Sequence, residues 1–94
     1  MSPDSVSTFY YVYVLRSKKA ERWYTGFTSD LRKRFKEHNN NENTYTKGRG
    51  PFELLYYEAY RNKTDARSRE KQLKSGQGKA YVRQRMKRFL TLSG

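Results

Sequence analysis

Two tyrosines on neighbouring strand-like segments are the first residues of this sequence that could do chemistry. Tyr13 lies in the segment YVYVL, and Tyr24 follows eleven positions later in the segment WYTGF. If the connection turns near Lys18 and Lys19, the two side chains lie opposite each other on one face of a hairpin. The pair is then either the packed interior of a sheet or two phenols held side by side for chemistry that uses their hydroxyl groups.

Three further ionisable side chains are predicted to face inward. Arg34 and His38 share a helical stripe with two apolar neighbours, at the i, i+3, i+4 and i+7 spacing of a buried helix face. Glu70 shares a second stripe with Ala66 and Leu73. Burying a carboxylate or a guanidinium is unfavourable unless the charge is paired, hydrated or bound to a metal. We therefore expect these groups to have a use beyond packing.

A short series of predicted elements positions these groups. Dense β-branched and aromatic content predicts three strands, and helical spacing with capping residues predicts three helices. The strands are predicted over residues 8–15, 22–28 and 52–60; the helices run from Thr28 or Ser29 to about His38, from Thr64 and Asp65 to the glycines of SGQGK, and over 79–90.

Local features refine this assignment. Asp30 is expected in the first turn of the first helix, where the helix dipole favours a negative charge. The glycines of SGQGK are expected to form the C-terminal cap of the second helix. Residues 39–51 are predicted to form a long loop of the kind that often carries function. Tyr81, Met86 and Phe89 are expected to dock the basic C-terminal helix on the body.

The first strand is apolar on both of its alternating faces, which predicts a central strand covered on both sides. We therefore predict an α/β fold with a three-stranded, mostly antiparallel sheet flanked by helices. The predicted domain spans residues 8–90, and the polar residues 1–7 are expected to be a disordered N-terminus.

The charge of the chain points to a polyanionic partner. The formal net charge is +12, and eleven basic but only two acidic residues lie from Arg61 onward. Such a field attracts nucleic acid, with an acidic protein or an anionic membrane surface as alternatives. The absence of cysteine excludes disulfides and thiolate zinc sites, and the single histidine excludes a multi-histidine metal centre. Without an apolar run of membrane length or a signal-like segment, we expect a cytoplasmic protein without a membrane segment.

The ordered motifs resemble those of the GIY-YIG nuclease superfamily, in particular its small stand-alone bacterial members. The first motif appears as YVY, with Tyr13 retained, and the second appears as YTG, from Tyr24 to Gly26. The resemblance extends from about Phe9 to about Ser75. The arginine, the histidine and the glutamate of the family pattern are matched, in that order, by Arg34, His38 and Glu70.

This resemblance implies metal-dependent hydrolysis of phosphodiester bonds, with DNA as the expected substrate. Glu70 would bind one Mg²⁺ or Mn²⁺, and Arg34 would hold a phosphate oxygen. Tyr13 would act as general base with Tyr24 as its hydrogen-bond partner, and His38 would relay or accept the proton. This role requires the surrounding cations and the metal to lower the pKa of the phenol.

Other residues are predicted to contact nucleic acid, and Tyr45 could stack on an exposed base. The predicted contacts are Gly26, Lys47, Arg49, Lys79, Arg83, Arg85, Lys87 and Arg88.

The sequence departs from the family pattern at several places, and two alternatives stay open. The glycine of the first motif is replaced by Tyr11. The region where many members carry an asparagine offers only Gln84, and Phe27 stands where some repair relatives carry lysine. The alternatives are a catalytically inactive nucleic-acid-binding module and a subunit that needs a partner protein for activity.

Overall fold

The computed structural model describes residues 8–92 of the chain. The predicted disordered segment 1–7 lies outside the described residues. None of the helices within 8–92 combines the length and the apolar character needed to cross a bilayer. The elements in chain order are β1 (Tyr10–Ser17), β2 (Trp23–Thr28), α1 (Leu31–Asn39), β3 (Phe52–Tyr60), α2 (Lys63–Lys74), α3 (Gly76–Arg85) and α4 (Lys87–Leu92).

The three strands form one antiparallel sheet in the order β2-β1-β3. The predicted fold class and the central position of β1 are confirmed. The side chains of β1 alternate between the two faces, because Val12 and Val14 belong to one hydrophobic cluster while Tyr13 and Leu15 belong to another. Both faces are therefore covered, as the apolar pattern of the strand predicted.

Each cluster joins the sheet to different helices. Ala66 and Leu73 of α2 and Val82 of α3 pack on the face of Val12 and Val14. The opposite face, which carries Tyr13 and Tyr24, is covered in part by α1 through two apolar side chains of its stripe, Leu31 and Phe35.

The predicted pairing of Tyr13 with Tyr24 is wrong by two residues. In the β1–β2 register Tyr13 faces Gly26, and Tyr24 faces Leu15. A shift of two residues preserves the side of the sheet on which each side chain lies, so both tyrosines still occupy one face. The shift arises because the turn is centred between Lys19 and Ala20, one residue later than predicted.

The helix starts also differ in detail from the prediction. Asp30 is the N-cap of α1 rather than a first-turn residue, and its side chain accepts a hydrogen bond from the Lys33 amide at 3.1 Å. Thr28 supports this cap by accepting from the Asp30 amide at 3.0 Å. Asn62 caps α2 in the same way, one turn before Asp65.

The SGQGK segment and the basic end of the chain are corrected by the structure. Ser75 ends α2 and caps α3, so the glycines open α3 instead of capping α2. A Cβ on Gly78 would overlap the backbone of Leu73, so only glycine permits this tight corner. The predicted single helix over 79–90 is two helices that part at Met86. Met86 and Tyr81 dock as expected, but Phe89 is 45% exposed and Leu90 packs in its place.

An ion-pair network fixes the orientation of α2 on the sheet. Glu58 of β3 accepts two hydrogen bonds from Arg69 of α2, at 2.8 and 3.0 Å, and one each from Tyr56 and Tyr60. Burial raises the pKa of the Glu58 carboxyl, but hydrogen bonds from Arg69 and the two phenols more than offset this and lower the pKa to about 2. With Arg69 anchored to β3, the neighbouring Glu70 is directed towards β2.

We predict that Gly78→Ala lowers the free energy of unfolding by about 2 kcal/mol, because its Cβ would overlap the Leu73 backbone. Gly76→Ala is the matched control in the same helix, since no atom lies within 4 Å of the place that its Cβ would occupy. It should leave stability unchanged or raise it by up to about 1 kcal/mol. Urea unfolding of both variants measures the difference, and equal midpoints would contradict the corner geometry.

Candidate active site

A cleft of about 350 Å³ lies along the β2 edge of the sheet, where α1 and α2 approach each other from opposite faces. The structure brings all five residues of the predicted catalytic set into this cleft, although their roles stay predictions. The predicted residues that line it are Tyr13, Tyr24, Gly26, Arg34, His38 and Glu70.

Gly26 makes this arrangement sterically accessible. Gly26 faces Tyr13 across the β1–β2 pair, and a Cβ at this position would overlap the Tyr13 hydroxyl and ring. The missing side chain lets the Tyr13 ring lie across β2 and bring its hydroxyl to the cleft at the sheet edge. Packing against Tyr13 therefore explains why a glycine is needed at position 26, and contact of Gly26 with a phosphate stays a prediction.

The Tyr13 hydroxyl is held by a short chain of hydrogen bonds. It lies 2.8 Å from Nε2 of His38, and Nδ1 of His38 lies 2.6 Å from the Thr46 hydroxyl. All three residues are buried, with Thr46 completely so. Sequence reasoning missed Thr46, because a threonine in a polar loop gives no local sign that it is buried.

Burial shifts the pKa values of both ionisable groups in this chain of hydrogen bonds. Burial raises the pKa of Tyr13 to about 12, against an opposing effect of the Arg34 guanidinium. The surrounding cations alone therefore do not lower the pKa of Tyr13, and a lowering by cations and metal together stays a prediction. Burial lowers the pKa of His38, and the charge of Arg34 lowers it further while that of Glu37 opposes the change. A neutral His38 can thus accept a hydrogen bond from a protonated Tyr13.

Tyr24 presents a polar group without a partner. Its side chain is 5% exposed, and its buried hydroxyl has no hydrogen-bond partner among the described residues. The ring is fixed by edge-to-face contacts with Phe52 at 5.7 Å and Tyr45 at 5.3 Å between centroids. Buried hydroxyls rarely stay unpaired, so this group is suited to a ligand oxygen or a bound water. The predicted hydrogen bond between Tyr24 and Tyr13 does not form among the described residues.

The charged residues of the cleft all form ion pairs. Nε of Arg34 lies 3.0 Å from Glu37, one turn along α1. The two carboxylate oxygens of Glu70 contact different cations of α2, Arg67 at 3.4 Å and Lys74 at 3.0 Å. Both cations line the cleft and were missed. Their i−3 and i+4 spacing from Glu70 was a signal that could have found them.

Glu70 is the carboxylate of the cleft that could ligate a metal. Within residues 8–92 no group of three or more histidine, cysteine, aspartate or glutamate side chains is arranged to hold an ion. This donor set does not fit a dedicated protein cage. It fits Mg²⁺ or Mn²⁺ bound by one carboxylate, waters and substrate oxygens, with the unpartnered Tyr24 hydroxyl beside them.

The predicted nucleic-acid contacts are spread over several surfaces. Lys79 lines a second cleft of about 310 Å³, which shares Thr25, Tyr45 and Lys74 with the first. Lys79 and Arg83 lie over the Trp23 ring at 5.3 and 5.1 Å from its centroid.

The other predicted contacts lie elsewhere. Arg85, Lys87 and Arg88 line a depression beside Leu55 with Gln84, and none of these residues lines the main cleft. Lys47 and Arg49 are exposed in the loop. Gln84 therefore does not supply the amide that the family pattern expects. Asn43 of the loop, which sequence reasoning missed, lines the cleft.

Comparisons with known proteins identify relatives of most of the described fold. A family model described as the GIY-YIG catalytic domain matches residues 9–86. A UPF0213 protein of Clostridium perfringens is 51% identical over 65 residues, which cover 68% of this chain and 69% of that protein. A UPF0213 protein of Haloquadratum walsbyi is 38% identical over 71 residues, covering 74% and 79%. The solution NMR structure of a UPF0213 protein from Bacillus halodurans matches with a TM-score of 0.50 and 38% identity, covering 79% of this chain and 81% of that one.

We predict that the histidine titrates below its usual pKa of 6.5, because burial and Arg34 disfavour its charged form. The folded state prefers neutral His38, so this stabilisation is present above pH 6.5 and is lost as pH falls through the lowered pKa. The chain has one histidine, so its ring proton signals in an NMR titration are unambiguous. A midpoint at or above the usual value would contradict the buried geometry.

We predict that Tyr24→Phe leaves the free energy of unfolding unchanged or raises it by up to about 1 kcal/mol, because it removes an unpaired buried hydroxyl. Tyr13→Phe is the matched comparison and should lower it by about 1–3 kcal/mol, because Nε2 of His38 loses its partner. Urea unfolding measures both. Equal losses would mean that the Tyr24 hydroxyl is paired in solution.

Proposed function

This chain belongs to the GIY-YIG family of nuclease domains, and from that premise we propose that it is a divalent-metal-dependent endonuclease that hydrolyses phosphodiester bonds in DNA. One observation carries the proposal. Two tyrosines, an arginine, a histidine and a glutamate from β1, β2, α1 and α2 line one cleft, and the buried Tyr24 hydroxyl in it has no partner within residues 8–92. A cleft of this composition suits a phosphodiester and its attacking water.

Proton transfer is the task proposed for Tyr13 and His38. The phenol is protonated in the free protein and lies 2.8 Å from Nε2 of His38. His38 is neutral and would take the phenol proton at that atom once bound metal and phosphate lower the pKa of Tyr13, after which the phenolate would accept a proton from the attacking water. Thr46 holds the other ring nitrogen and keeps the imidazole in this orientation.

Charge stabilisation is the task proposed for Arg34 and Glu70. The Arg34 guanidinium can bind a phosphate oxygen and oppose the negative charge that develops in the transition state. Glu70 would hold Mg²⁺ or Mn²⁺, which would polarise the scissile phosphate and stabilise the leaving oxygen. Tyr24 would donate a hydrogen bond to a phosphate oxygen or to the attacking water.

The net charge of +12 supports nucleic acid as the partner, and the basic surfaces outside the cleft would bind further phosphates. These surfaces are those of Lys47, Arg49, Lys79, Arg83, Arg85, Lys87 and Arg88. DNA as the polymer and the cytoplasm as the place of action are parts of the same proposal.

A nucleic-acid-binding module that lacks catalysis, or that gains it only with a partner protein, is the second candidate. The observation that favours it is the pKa of Tyr13, which burial raises to about 12. A phenol with that value is a poor base near neutral pH unless bound metal and phosphate change its surroundings.

We predict that the protein nicks DNA with Mg²⁺ or Mn²⁺ and not with EDTA, and that Glu70→Gln lowers the rate by at least about 100-fold, as loss of a direct metal ligand should exceed the effect of outer-shell partners. Glu42→Gln is the control, since it removes the same charge from an exposed position outside the cleft. Initial rates on single-stranded, duplex and branched DNA at low salt provide the measurement.

Binding without metal-dependent nicking on every substrate would favour the inactive module. Nicking that survives Glu70→Gln at the rate of Glu42→Gln would remove Glu70 from the mechanism.

A further inference from the structure

The Glu70 carboxylate forms two ion pairs, one through each of its oxygen atoms. Its Oε1 contacts Nη1 of Arg67 at 3.4 Å, and its Oε2 contacts Nζ of Lys74 at 3.0 Å. These cations lie at i−3 and i+4 on α2, so both reach the same side of the helix as Glu70. The oxygens that a metal ion would need are thus the oxygens that hold the two cations.

The partners differ sharply in exposure. The Glu70 side chain is 12% exposed, whereas those of Arg67 and Lys74 are 58% and 50% exposed. Exposed ion pairs are weak, and a long exposed side chain can turn to a new partner at little cost. The carboxylate is held at the cleft wall, while each cation can swing towards whatever enters the cleft.

The position of Arg67 favours such a movement. Its guanidinium lies over the Phe27 ring, 4.1 Å from the centroid, so the ring supports its planar face while the edge stays free to donate hydrogen bonds. Lys74 lines both the main cleft and the adjoining one that contains Lys79. A nucleic-acid strand that crosses the cleft would therefore bring its phosphates within reach of both cations.

We propose that Arg67 and Lys74 exchange partners when nucleic acid binds: they neutralise Glu70 in the free protein, and the incoming phosphates take them over and release the carboxylate for the divalent ion. This inference rests on the proposed function and adds the order of binding to it. It assigns Arg67 and Lys74 as phosphate ligands that also control access of the metal to Glu70.

The electrostatics give the direction of the coupling. The three charges of the Glu70 cluster sum to a positive value in the free protein, which repels a divalent cation. Phosphates added beside the two cations reverse that sign and attract it. Each ligand thus increases the affinity for the other, and the coupling is reciprocal by thermodynamic necessity.

Mn²⁺ binding to the DNA-free protein tests the first half of the exchange. Free Mn²⁺ is measured by electron paramagnetic resonance during titration of the wild type, Arg67→Gln, Lys74→Gln and the double variant. Lys71→Gln is the matched control, because it removes one positive charge from an exposed position of the same helix that does not line the cleft. We expect each single cleft variant to bind Mn²⁺ about threefold to tenfold more tightly than Lys71→Gln, since it loses a cation within hydrogen-bonding range of the carboxylate.

DNA binding in EDTA tests the second half with the same proteins. Fluorescence anisotropy with a labelled 20-base-pair duplex should show affinity about threefold to tenfold weaker for Arg67→Gln and Lys74→Gln than for Lys71→Gln. Opposite effects of one substitution on the two ligands are the signature of a shared cation. A variant that is merely damaged would lose affinity for both.

The outcomes separate this inference from the proposed function. Mn²⁺ affinities of the cleft variants that equal or fall below that of Lys71→Gln, or that stay too weak to detect in every variant, overturn the exchange. Glu70→Gln should abolish the gain in the Lys74→Gln background, and a gain that persists also overturns it. The nuclease proposal is decided by metal-dependent nicking in the Glu70→Gln assay and stands or falls independently.

Discussion

The passage of the Tyr13 side chain over Gly26 is the contact on which the candidate site depends. Tyr13 belongs to the central strand, and its hydroxyl reaches the sheet edge only because the facing residue of β2 has no side chain. His38 then receives that hydroxyl, and Thr46 holds the imidazole from the loop. The missing side chain at Gly26 therefore allows contacts that connect the sheet, α1 and the long loop. These contacts fix the position of the buried Tyr13 phenol relative to the cleft.

Charge pairing is the second constraint, because it satisfies the ionised side chains of the cleft. Arg34 is paired with Glu37, and Glu70 is paired with Arg67 and Lys74. These pairs satisfy the charges of a half-exposed cleft without burying them completely, so an incoming polyanion can rearrange them at low cost. Other groups anchor the helix: Glu58 of β3 holds Arg69 of α2 through short hydrogen bonds, and both side chains are partly buried.

Membership in the GIY-YIG family agrees with this separation between residues that line the cleft and residues that anchor α2. The matched region, residues 9–86, contains the sheet, α1, α2 and α3, which include the elements that supply every residue of the predicted catalytic set. The core that supports them is rich in aromatic residues, with Tyr13, Tyr24 and Phe52 buried beside Leu15. In so small a domain the same tyrosines fill the core and line the cleft, so residues that stabilise the fold also form the candidate site.

The sequence by itself determined the strands and the inward faces of the helices, because local periodicity reports which side of an element a residue occupies. The resemblance of its motifs to the family grouped Tyr13, Tyr24, Arg34, His38 and Glu70 in one site. It did not determine which residue each one meets. The tertiary structure decided that Tyr13 faces Gly26 and bonds His38, that Tyr24 is left unpaired among the described residues, and that the basic end of the chain bends at Gly78 and Met86. Such partners are set by turn geometry and by contacts between residues distant in sequence, about which a local pattern carries no information.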